Sequence, residues 1–140
     1  MNSLIRVQLH VNAWVAVLIG SIIMLDPVSL LAPYGLQADL STGLLSELRA
    51  PGGLLLVSGL VIVFCASRPS TAHSGLLLSI MVYGGYGSVR LLAMLLDGLP
   101  PAEIQLATAI EVGLCVLSAM SLHKLQLRDG LALDKQEQAL

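Results

Sequence analysis

An all-α bundle of four membrane-spanning helices is the fold this sequence predicts, and three observations point to it. A chain of 140 residues with 56% hydrophobic and 11% charged content lacks the polar surface that a soluble domain needs to cover its core. Four windows, about 3–25, 43–66, 72–97 and 102–123, each reach the ~20 residues that cross ~30 Å of hydrocarbon. Runs such as Gly53 to Phe64 are apolar on every side, whereas strands of a membrane barrel alternate with a period of two. Residues 1–124 therefore read as one membrane domain and 125–140 as a polar cytoplasmic tail that frays.

The first span begins after Arg6, and Asn12 and Trp14 lie within it. No small-residue cleavage site follows, so it is expected to be retained rather than removed as a signal peptide. It stops at Asp26-Pro27, because proline disfavours helical backbone in the residue before it. Residues 27–42 include Pro33-Tyr34-Gly35 and are too long for a tight hairpin. Val28, Leu30, Leu31 and Leu36 make a short interfacial helix or folded cap the expected form. Ser41 or Thr42 can cap the second span. Pro51 within it removes the donor for the Glu47 carbonyl, which predicts a kinked helix with an open acceptor beside Glu47 and Arg49.

In the third span, Tyr83-Gly84-Gly85-Tyr86-Gly87-Ser88 is too glycine-rich for helix propensity alone to favour. Gly84 and Ser88 form a face suited to close helix contact, while Tyr83, Tyr86 and Arg90 share a neighbouring stripe. Asp97-Gly98 closes the span. Pro100 and Pro101 then precede the fourth, with Glu103 in its first turn.

Lysine and arginine set the expected orientation, because positively charged loops stay in the cytoplasm. Arg6, Arg68, Lys124, Arg128 and Lys135 flank the two termini and the second loop, whereas the first and third loops hold Asp26, Asp39, Asp97 and Glu103. Both termini are thus expected to be cytoplasmic, in a multi-pass protein of the inner cell membrane. A net charge of −2 gives no basic stripe for nucleic acid. His10, His73 and His123 have no zinc-motif spacing, so neither a metal site nor a cofactor is expected. Cys65 and Cys115 differ in depth by several turns and read as small packing residues rather than a disulfide.

Arg90 and Glu111 carry the most information about function. A lone charge at membrane depth costs roughly 2.5–3.5 kcal/mol, so such residues face partners or cavities. At 1.5 Å rise per residue, Arg90 lies about 12 Å below the end at Gly98 and Glu111 about 15 Å below Pro101. They are expected to meet. Glu47 and Arg49 should lie shallower on the second span, with Asp26, Tyr34 and Asp97 around the mouth. One reading has these charges merely tying helices together, but buried pairs are poor stabilisers.

The other reading is a pocket in the outer half of the bilayer that binds a small lipophilic molecule or membrane lipid. In it, Glu111, Glu47 and Tyr86 are the candidate catalytic groups, with Glu111 as acid or base and Tyr86 or Tyr83 as a second donor. Arg90, Arg49, Tyr83, Asn12, Asp26, Tyr34 and Asp97 are the candidate ligand-binding groups. Isomerisation, ring opening or cyclisation driven by protonation would suit such a site. The competing expectation is a non-catalytic subunit that packs on another membrane protein, or on a copy of itself, through the glycine-rich third span.

The pattern also resembles a bacterial family known as domain of unknown function 4345, small proteins with four membrane helices. The likeness runs through Asn12, Gly20, Pro27, Tyr34-Gly35, Glu47-Leu-Arg49-Ala, Gly52-Gly53, Gly87, Arg90, Asp97-Gly98, Pro100 and Glu111. Pro51 between Ala50 and Gly52 is a local departure. The resemblance implies a four-helix fold akin to the broader DoxX-like membrane group and brings no established activity.

Overall fold

The computed structural model describes residues 3–31 and 41–137, with side chains placed within 3–29 and 41–131. Its elements are α1 (Ser3–Leu25), the five-residue α2 (Pro27–Leu31), α3 (Thr42–Ala66), a 3-10 turn (Pro69–Thr71), α4 (Ala72–Asp97) and α5 (Ala102–Glu137). No strand occurs among the described residues. The four long helices are each apolar enough to cross a membrane. Their many exposed apolar side chains, such as Leu4, Trp14, Leu54, Met81 and Leu95, are those of a bundle whose outer surface faces lipid rather than water.

Local chemistry explains where the helices begin and end. Ser41 caps α3, its hydroxyl accepting from the Leu44 amide at 3.2 Å, which satisfies one of the donors a helix start leaves open. Asp26 does the same for α2, accepting from the Ser29 amide at 3.1 Å. Gly98 ends α4 at φ 96°, in the backbone region where a side chain would be strained. In the turn between α3 and α4, Arg68 lies over the Phe64 ring at 4.3 Å, and the Thr71 hydroxyl donates to the Cys65 carbonyl at 3.2 Å.

Two helix pairs make the bundle: α1 lies along α3, and α5 lies along α4. The α1–α3 seam is the tighter because small residues meet there. A Cβ on Gly52 would stand 2.7 Å from Ile23 Cγ2 and 2.9 Å from the Met24 amide nitrogen. Gly20 approaches the same stretch of α3 from the other side. This is backbone-to-backbone packing of the kind that drives association where lipid removes the hydrophobic incentive. The third-span glycines serve the other pair, Gly84 facing Cys115 and Gly87 facing Val112 of α5. By contrast, α3 and α4 touch over a shorter stretch, and the space between them remains open.

One expectation needs revising. The last helix does not stop near residue 123 but runs on to Glu137, because the polar residues that follow are mostly good helix formers. Pro51 lies inside α3, as expected from a helix that begins near residue 43. Its carbonyl receives the Tyr86 hydroxyl at 3.1 Å. Of residues 27–42, α2 and the start of α3 are described. Tyr34 and Asp39 lie outside the described residues.

Candidate functional site

Polar side chains gather at two levels of the bundle. At the inner level, Asn12 of α1 is fully buried and its Nδ2 donates to Ser118 Oγ of α5 at 2.8 Å. Gln8 Nε2 reaches the same oxygen at 3.3 Å, Ser121 donates to Gln8 Oε1 at 2.6 Å, and Ser118 donates to the Leu114 carbonyl at 2.7 Å. The Tyr83 hydroxyl of α4 donates to the Asn12 main-chain carbonyl. Three helices are thus stitched together, and in this cluster Asn12 Oδ1 alone has no partner among the described residues.

The outer level is built around Arg90 of α4 and Glu111 of α5. Arg90 Nε stands 3.2 Å from Glu111 Oε1 and 3.1 Å from Oε2. Because Nε carries a single hydrogen, only Oε1 receives a hydrogen bond, and the buried Oε2 accepts none. The Nη atoms of Arg90 make no hydrogen bond to any described residue. The pair is only partly enclosed: the arginine side chain is 35% exposed and the glutamate 16%.

Two spaces adjoin this pair. A chamber of about 160 Å³ is walled by Tyr83, Tyr86, Arg90 and Glu111 together with aliphatic groups of α1 and α5. A groove of about 650 Å³ lies between α3 and α4, lined by apolar side chains such as Leu54, Leu78, Met81 and Val89. Leu55, Tyr86 and Arg90 belong to both. Tyr86, tied to Pro51 across the helix pair, lines both spaces.

The sequence-derived candidates separate accordingly. Arg90, Glu111, Tyr83 and Tyr86 come together as expected from their depth and stripes. Glu47 and Arg49 do not join them: both are exposed on the first turns of α3 and line neither space. Asp26 is exposed and occupied as the α2 cap, where the Ser29 hydroxyl and amide hold its carboxyl below the usual carboxylate range. Asp97 is exposed at the end of α4. Asn12 belongs to the inner network. Sequence reasoning missed Gln8 and Ser121, whose only signal was polarity at positions 8 and 121 within apolar spans.

These features define an integral membrane protein of the four-helix class with a polar cluster inside its bundle. The chain belongs to the family described as Domain of unknown function (DUF4345), whose model matches residues 4–122. No curated protein and no solved structure matches the chain.

Proposed function

We propose that this protein binds a small lipophilic molecule in the outer half of the membrane, with the molecule's polar end at Arg90 and Glu111. One observation carries this reading: among the described residues the ion pair leaves hydrogen-bonding capacity unused where a chamber walled by Glu111 and two tyrosines adjoins an apolar groove. A pair that served only to tie helices would gain by closing those valences within the chain. Glu111 is the candidate acid or base and Tyr86 a second donor lining the same chamber, a set suited to isomerisation, ring opening or cyclisation by proton transfer. The competing role, docking on another membrane protein through the glycines of α4, draws less support, because Gly84 and Gly87 already receive α5.

The charge asymmetry supports placement in the inner cell membrane with both termini cytoplasmic. Reporter fusions test that orientation: a fusion after residue 130 should be active inside and one at 97–103 outside, and the reverse pattern rejects it. Binding is tested by purifying the protein from membranes and identifying co-isolated lipophiles by mass spectrometry. A compound enriched with the native chain and lost from Arg90→Leu supports the reading, while identical lipid profiles for the two refute it.

A further inference from the structure

We infer that the ligand is an uncharged lipophile bearing a hydroxyl, its hydrocarbon chain lying in the α3–α4 groove and its hydroxyl passing Tyr86 into the chamber. The inference rests on the ligand-binding reading above and adds the ligand's chemistry and its route.

Size decides how the ligand is divided. The 160 Å³ chamber corresponds to roughly five water molecules at ≈ 30 Å³ each, enough for a head group and too little for a whole lipophile. The 650 Å³ groove falls within the ~300–1,000 Å³ typical of small-molecule sites. Gly85 helps to form the groove, and a Cβ there would meet nothing within 4 Å, so this wall is recessed. Leu55, Tyr86 and Arg90 line both spaces and so make them neighbours.

Hydrogen-bond complementarity decides the head. Glu111 Oε2 is a buried acceptor with nothing donating to it, and Arg90 keeps its Nη hydrogens free of described partners. A hydroxyl answers both at once, donating to Oε2 and accepting from Nη. Charge excludes the alternatives. Arg90 and Glu111 already neutralise one another, so an anionic head would place a second negative charge beside Glu111 and a cationic head a second positive charge beside Arg90, in surroundings that screen neither.

The test uses the full chain in lipid nanodiscs and three probes that share one long alkyl chain with a terminal diazirine: a primary alcohol, its methyl ether and an alkyl sulfonate. After illumination, labelled peptides are mapped by mass spectrometry. The alcohol should label the α3 and α4 segments around Leu54 and Met81 at least tenfold more than either comparison probe, since a site built to bond a hydroxyl rejects analogues that lack it. Gly85→Leu fills the groove without altering Arg90 or Glu111, and should reduce that labelling about tenfold without lowering the melting temperature. Ether or sulfonate labelling equal to that of the alcohol overturns the assignment of the head, and so does alcohol labelling no higher than background. If Gly85→Leu leaves labelling intact while Arg90→Leu removes it, the groove route is wrong and the binding reading stands. If neither variant changes it, both fall.

Discussion

The two polar levels of this bundle use similar residues to opposite ends. Around Asn12 and Ser118, donors and acceptors are matched almost completely, no cavity among those described adjoins Asn12 or Ser118, and the hydrogen bonds run between α1, α4 and α5. Around Arg90 and Glu111, one hydrogen bond joins two charged groups, valences remain open, and two spaces meet. Polar groups in hydrocarbon must be satisfied somewhere. The inner cluster satisfies itself, which makes it a fastening, whereas the outer cluster keeps an acceptor open among the described residues, the opening on which the proposed binding rests. Helix packing follows the same division. Glycines bring α1 and α3 into backbone contact, while the bulky Tyr86 and Arg90 stand at the borders of the open α3–α4 side.

The sharpest way to break this contrast is to remove one member of the outer pair. Arg90→Leu leaves Glu111 without its counter-charge inside the bundle and should cost about 3–5 kcal/mol of stability, the usual penalty for an orphaned buried charge. Replacing both residues with leucine should cost less than the sum of the two single changes. Unfolding of the three variants in detergent measures the coupling. Strictly additive losses would mean that Arg90 and Glu111 do not act as a pair, and the outer cluster would lose its distinct character.

How much of this was readable beforehand depends on the range of the interaction. Span positions follow from hydropathy and local capping, so α1, α3 and α4 lie close to their windows, with Ser41 and Gly98 at the expected ends. The meeting of Arg90 and Glu111 was legible because both depths can be counted from the shared turn at Gly98–Pro101. The fate of Glu47 was not, since it depends on how far the start of α3 projects beyond its neighbours, which no local pattern records. Nor was the Asn12–Ser118 bond legible: helix order around a bundle is set by packing, and the glycines that set it, Gly20 and Gly52, carry no label naming their partner. The continuation of α5 to Glu137 reflects helix propensity in a polar stretch, where hydropathy is silent.

A milder change sharpens the comparison from the inner side. Asn12→Leu removes the bond to Ser118 but keeps the main-chain carbonyl that receives Tyr83. It also deletes the unpartnered Oδ1, which offsets part of the loss. Side-chain hydrogen bonds between membrane helices average ~0.6 kcal/mol and reach ~1.7, so a loss in that range is expected. Any lipophile that co-purifies with the native chain should remain bound to this variant. Its disappearance, with the fold intact by circular dichroism, would move Asn12 from fastening to site.

The smallest effect on stability and the largest on chemistry should come from Glu111→Gln. The amide keeps the length and shape of the carboxylate, and its oxygen can still accept from Arg90 Nε at the 3.2 Å position now held by Oε1. Arg90 loses a counter-charge, yet its side chain is 35% exposed and can move its charged end toward more polar surroundings. The expected loss is therefore under about 1 kcal/mol, the scale of one hydrogen bond. What the substitution does remove is a proton that can be given and taken. If Glu111 acts as acid or base, turnover of the identified lipophile should vanish while binding persists. Full turnover by the glutamine variant would leave Glu111 as a binding group only and reassign the proton transfer to Tyr86, which lines both spaces.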